Sequence, residues 1–327
     1  DARLDGGDAP AALRDYEAVV SADKSLAPAA ALGAGYALRA MKKYADAAAR
    51  FDFVVASWPE SEQAAPALFW GGCSMADAGR PEEAMARYRR LAGEYARSEL
   101  VDDAAWRSTR LTAAQSKDPK AAVAALEDFL KLHPRSEYAP SALYELAWAH
   151  RQAGNAARTA ATFEQLLQQH PKHKLAADAA FRLGEIEYDA GRYDAAIARY
   201  DRALQEQDAG FADKALYKKA WACSQAGKSD AALAAFGKLA SDFPDSELAG
   251  EAAFRAGRLL EQAGRLDDAV KRYSAVKDEF SDRAQFQIGQ IALTRQQWAE
   301  ARKRFEAALA KHPRSPVVPE MRLGLGE

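Results

Sequence analysis

The chain has 327 residues, with 45 basic and 47 acidic side chains giving a formal net charge of −2. It lacks the basic footprint that nucleic-acid binding needs, and nowhere has the run of roughly 18 apolar residues that a membrane span needs. Two isolated cysteines, Cys73 and Cys223, read as buried small hydrophobes and give no guide to the redox compartment.

From the N-terminus onward the elements come as helix pairs. Asp5, Gly6 and Gly7 read as an inter-helix turn, so the pattern is already under way. A ring or Leu then recurs at Tyr16, Phe51, Tyr88, Leu126, Phe163, Tyr200, Phe236, Tyr273 and Phe305, at spacings of 35, 37, 38, 37, 37, 36, 37 and 32. Four residues before each stands a small residue: Ala12, Ala47, Ala84, Ala122, Thr159, Ala196, Ala232, Ala269 and Ala301. That offset puts both on one face of a helix, the second helix of each pair. The first helices carry their own small column at Gly35, Gly72, Ala147, Gly184, Ala220, Gly257 and Gly289. Glycine inside a helix costs up to about 1 kcal/mol against alanine, so its return at one column points to close approach within each pair. Arg110 breaks this column and Thr159 breaks the alanine column, and both are expected to loosen the stack locally.

The punctuation agrees with two helices per unit. Gly79, Gly154, Gly191, Gly227 and Gly264 fall between the helices of a pair, where a left-handed residue is wanted. Pro59, Pro134, Pro171, Pro244 and Pro313 follow the second helices, and Ser61, Ser136, Ser246 and Ser315 are placed to cap the helix that comes next. No alternating stretch argues for a strand. The expectation is an all-α chain with nine second helices. At the C-terminus MRLGLGE echoes the first-helix segment FRLGEIE. Residues 1–327 therefore read as one continuous array with partial repeats at both ends, expected to be a piece of a longer protein.

Nothing in the pattern argues for catalysis. His133, His170 and His312 each precede a repeat-ending proline, in a column that Trp58 and Phe243 also fill. A ring suits that helix C-terminus, and one histidine per repeat cannot converge on a metal. His150 stands alone on a first helix and His173 in a loop. The paired acids Asp102–Asp103 and Asp267–Asp268 read as solvated charges at helix N-termini. Phosphate loops, dinucleotide fingerprints and nucleophile elbows are missing from the sequence. The chain is read as no enzyme, with no cofactor and no metal.

With these columns in view, the chain resembles the tetratricopeptide repeat family over almost its whole length. The first-helix small residue, the turn glycine, the second-helix Ala and ring, and the terminal proline all match that family's pattern. The period, nearer 37 than 34, and the P-x-S connections resemble bacterial envelope members such as the outer-membrane assembly lipoprotein and the Tol–Pal periplasmic coordinator. The resemblance implies a right-handed superhelical solenoid of antiparallel helix pairs whose first helices line a concave groove. It also implies a periplasmic or outer-membrane-associated location, with a cytoplasmic one left open.

By the same resemblance the columns ten and six residues before the turn face the groove. They include Tyr144, Phe181 and Tyr217, and Trp148, Glu185, Trp221 and Arg258, with Tyr188 one turn beyond Glu185. The column at minus ten is so regularly aromatic that seam-filling is its leading reading. The column at minus six mixes Trp, Glu, Arg and Gln, which fits exposure, and an exposed Trp is a favoured interface anchor. These eight residues are the candidate partner-binding set, with both indoles expected to be substantially exposed. The Lys-and-Asn clamp of chaperone-tail adaptors is excluded, because the one asparagine, Asn155, lies in a turn. The leading functional reading is a non-catalytic scaffold that holds a protein or peptide segment in a bacterial envelope assembly. The alternatives are a structural spacer, or the superhelical part of a larger multidomain protein or enzyme such as a lytic transglycosylase.

Overall fold

The computed structural model describes residues 2–116, 118–206, 210–277 and 279–326. Two compact units divide the chain, Asp1–Thr162 and Phe163–Glu327. The first holds α1 (Ala2–Asp5), α2 (Ala9–Ala22), α3 (Ala27–Ala40), α4 (Tyr44–Ser57), α5 (Ala64–Asp77), α6 (Pro81–Glu94), α7 (Leu100–Gln115), α8 (Pro119–Leu132) and α9 (Ala139–Gln152). After α10 (Ala156–Gln169), the second holds α11 (Ala176–Asp189), α12 (Tyr193–Ala203), α13 (Ala212–Gln225), α14 (Ser229–Asp242), α15 (Ala249–Gln262), α16 (Leu266–Ser274), α17 (Ser281–Thr294), α18 (Trp298–Lys311) and α19 (Val318–Leu325). Among the described residues every regular element is a helix and there is no strand, and α2 to α18 at even numbers supply nine second helices.

The ring column makes the core. Phe51, Phe163, Tyr200, Phe236, Tyr273 and Phe305 are among the largest fully buried side chains, each stabilising by roughly 1.5–3 kcal/mol through burial. The glycines of the first helices exist to receive these rings. A Cβ at Gly35 would stand 2.4 Å from Phe51, at Gly184 2.6 Å from Tyr200, and at Gly289 2.2 Å from Phe305. Each ring thus lies against a bare stretch of its partner helix.

At most turns the left-handed position is glycine, as at Gly79 with φ of 73°. Lys42 and Gln296 take that conformation without being glycine, at φ of 58° and 59°.

The third pair departs as its columns predict. Arg110 swings into solvent, 3.4 Å from Glu145, and Leu126 replaces the ring. Trp106 compensates from α7, buried against Phe129 at 5.3 Å and stacked on Tyr138 at 5.7 Å. Small side chains such as Ala105, Ala121 and Ala125 leave a cavity of about 510 Å³ between α6, α7 and α8. Thr159 fits with less disturbance: it is buried, and its hydroxyl donates to the Asn155 carbonyl at 3.0 Å.

Two local expectations need correction. Ser136, Ser246 and Ser315 stand two residues ahead of the actual N-caps, Tyr138, Leu248 and Val317. Their hydroxyls accept those N–H groups at 3.0, 3.2 and 3.3 Å and donate to Asp102, Asp213 and Asp282 of the preceding pair. Ser61 likewise is not the cap, since its hydroxyl donates back to the Trp58 carbonyl at 2.8 Å. Asp102 and Asp103 are correspondingly not free helix-end charges. Asp102 accepts from Ser136 at 2.6 Å and lies 3.0 Å from His133 Nδ1, while Asp103 accepts from the Tyr138 hydroxyl at 2.5 Å. Together they clasp one pair to the next, and burial of apolar surface is supplemented there by charge-assisted hydrogen bonds.

Candidate partner-binding face

First helices present the candidate residues, and each unit carries part of the set. In the first unit, Tyr144 and Trp148 sit one turn apart on α9 and meet edge to face at 6.2 Å. The Arg151 guanidinium lies 5.0 Å over the Trp148 ring. Both rings are half-buried.

In the second unit, α13 repeats the Tyr–Trp pair, with the arginine supplied by the next first helix. Tyr217 and Trp221 meet edge to face at 6.2 Å, and Arg255 of α15 covers the indole at 4.8 Å. Trp221 also leans on the buried Phe236 at 6.1 Å. Both indoles are therefore half-buried rather than substantially exposed; at Trp221 the ring behind and the guanidinium in front each take a face. A cation over Trp holds the indole with roughly 0.5–2 kcal/mol.

Phe181 belongs to the seam. It is 5% exposed and packs on Phe211 at 5.2 Å and Tyr200 at 5.8 Å. Glu185 is half-buried, 3.1 Å from Arg182 and 4.0 Å from Lys218. Tyr188 packs edge to face on Tyr193 at 5.5 Å, and burial pushes its hydroxyl pKa up. Burial also raises that of Tyr217, whose hydroxyl donates to Glu251 at 2.9 Å. Arg258 stands exposed. Phe181, Glu185 and Tyr217 line one cavity of about 700 Å³ between α11 and α13, together with Arg182, Lys214 and Lys218.

Sequence reasoning missed Arg182, Lys218 and Arg255, the column directly after the minus-ten rings. The signal was available: three cations in one column of consecutive first helices, each beside an aromatic face. His150, read as isolated, is buried with Nε2 3.8 Å from Glu127, and burial lowers its pKa. Among the described residues no group of three or more His, Cys, Asp or Glu side chains is placed to hold a metal. His133, Asp102 and Ser136 have the composition of a catalytic triad but the wrong geometry, since the serine hydroxyl points at the carboxylate rather than the imidazole. No described helix is long and apolar enough to cross a membrane.

Residues 102–280 match the family model YfiO, described as an outer membrane lipoprotein. Tetratricopeptide repeat models match residues 1–62 and 286–327, and residues 66–98. No curated protein sequence matches the chain. Among solved structures, the C-terminal part of a TPR repeat-containing protein from Cytophaga hutchinsonii aligns over 77% of this chain and 97% of its own, at 14% identity and a TM-score of 0.57. A tetratricopeptide repeat protein from Parabacteroides merdae covers 80% of this chain and 99% of its own, at 17% identity and a TM-score of 0.44. YrrB, described as a TPR protein with an unusual peptide-binding site, covers 60% of this chain and 98% of its own, at 18% identity and a TM-score of 0.45. At 14% identity the likeness to the Cytophaga hutchinsonii protein is one of fold.

Proposed function

The chain belongs to the outer membrane lipoprotein family YfiO, and on that premise we propose that it is a non-catalytic scaffold of a bacterial envelope assembly. It works on the periplasmic side, associated with the outer membrane, and holds a segment of a partner protein against its first helices. The observation that carries this reading is the Tyr–Trp pair with an arginine over the indole, present on α9, where the arginine is the helix's own Arg151, and on α13, where it is Arg255 of α15. A packed core has no use for an indole left half open under a guanidinium, whereas Trp, Tyr and Arg are the side chains that anchor interfaces. On this reading Tyr188, Glu185 and Arg258 supply a polar rim to the α13 pair, while Phe181 stays in the seam with Phe211 and Tyr200.

The test is site-specific photocrosslinking in the native host, with the reactive group at Gln225 beside Trp221. One discrete adduct is expected, lost in Trp221→Ala and weakened in Trp148→Ala. Phe53→Ala, which removes a partly exposed ring from the second helix α4, should leave it intact. If the adduct survives Trp221→Ala, or falls equally with Phe53→Ala, the proposed face is wrong.

A further inference from the structure

At three joints neighbouring second helices are tied by the same kind of ion pair. The residue after the ring of one helix is acidic, and the residue before the ring of the next is arginine. In the first unit these are Glu17 with Arg50 at 3.7 Å and Asp52 with Arg87 at 2.6 Å; in the second, Glu164 with Arg199 at 2.8 Å. At the remaining joints one or both charges are absent. Between α14 and α16, as between α16 and α18, only the arginine is present, and at the latter Arg304 pairs instead with Glu300 of its own helix at 2.6 Å. Arg272 keeps its place before Tyr273, but the acidic position is Gly237, whose Cβ would stand 3.4 Å from Arg272 Nη2. Arg272 is exposed and, among the described residues, in no ion pair.

A second component is missing at the same joint. Seven residues after the core ring, second helices end on another ring, as at Trp58, Tyr95, His133, Phe243 and His312. Tyr95 folds back onto the preceding connection, where its hydroxyl donates to the Pro59 carbonyl at 2.9 Å, and it packs on the cluster that holds Val55 and Leu68. Helix α16 stops after 9 residues where most second helices run for 14. Its seventh residue on, Phe280, caps α17 and packs on Phe254 at 5.8 Å, so it fills a different place. The counterparts of Val55 and Leu68 are Ala240 and Ala253, smaller in both cases. What remains is a cavity of about 550 Å³ bordered by Ala240, Pro244 and Ala253, with Arg272, Lys277 and Glu247 around it.

We propose that this socket takes an aromatic side chain of a partner protein, with a neighbouring Asp or Glu of the same segment on Arg272 and Lys277. The partner supplies the ring that most other second helices place there themselves, and the carboxylate that Glu17, Asp52 and Glu164 supply at three other joints. Among the described residues lining the cavity, two cations stand against one acid, Glu247, which favours an acidic segment over a basic one, and the alanine floor favours a ring over a polar side chain. The site shares no residue with the first-helix face, so each stands or falls alone.

The probe is a fluorescein-labelled peptide carrying one Phe between glutamates, titrated against the full chain by anisotropy. Versions with Ala for Phe and with Lys for Glu serve as comparisons. The Phe peptide should bind, and each replacement should weaken it about tenfold or more. Ala253→Leu, which installs the residue of the filled joint, should weaken binding by a similar factor with melting at or above that of the wild type. Arg272→Glu should weaken the Glu peptide and restore the Lys peptide, a charge swap that needs no change in the core. Trp221→Ala should leave both unchanged. Equal binding of the Ala peptide, no effect of Ala253→Leu, or no binding overturns the proposal. So does a loss confined to Trp221→Ala, which would put the peptide on the first-helix face.

Discussion

Replacing Gly257 by alanine separates backbone propensity from packing. On propensity alone the change stabilises a helix by about 1 kcal/mol. Here the added Cβ would stand 2.5 Å from Tyr273 Cε1 and 2.6 Å from Cδ1, where ordinary contact begins near 3.4 Å. The ring must therefore retreat by 3.4 − 2.5, about 0.9 Å. Tyr273 is fully buried and its hydroxyl donates to Glu261 at 2.7 Å, so a retreat strains a packed ring and a hydrogen bond together. Overpacking of this kind costs roughly 1–3 kcal/mol, which offsets the propensity gain and leaves a net loss of about 1 kcal/mol. Gly93→Ala is the control: it also lies in a helix, near the end of α6, and a Cβ there meets nothing within 4 Å. Urea unfolding of both variants, followed by circular dichroism, measures the difference. Gly257→Ala equal to or more stable than the wild type would refute the packing argument.

Lys42→Gly and Gln296→Gly, at the two left-handed turns lacking glycine, should each stabilise by about 1 kcal/mol in the same urea assay. Ser136→Ala and Asp102→Asn should each cost about 1 kcal/mol, and the double variant little more than either alone, because both break one clasp; additive losses would count against it. Burial lowers the pKa of His150, so the unfolded chain takes up the proton first and stability should fall as pH drops through about 6.5, the ordinary histidine value. His150→Gln should flatten melting temperature against pH over that window, and an unchanged slope would assign the effect elsewhere.

The pairing of rings with glycines was legible because both partners repeat on a fixed period, and a steric fit of that kind leaves a mark in each unit. The serine clasps were not, since Ser246 and its acceptor Asp213 are 33 residues apart and local spacing shows only a capping signal. The exposure of Trp221 was overstated for a similar reason: Arg255, which covers it, comes from the next first helix. The shortened α16 did leave a trace. Ring spacing drops from 37 to 32 after Tyr273, a difference of 5, and α16 is 14 − 9, again 5, residues shorter than its counterparts. The columns stayed in register up to the ring, so the missing turn registered only as a shorter interval.

The column of small residues acts as a set of shims. Every tyrosine of the ring column from Tyr88 onward faces a glycine, at Gly72, Gly184 and Gly257, whereas Ala220 stands in that column opposite Phe236. One methyl more or less at this position sets how near two helices lie, and it does so from inside the pair, out of reach of any partner. Helix spacing and the chemistry of the displayed face are thereby under separate sequence control. A scaffold built this way can be re-spaced one pair at a time while every residue that meets its partner stays the same.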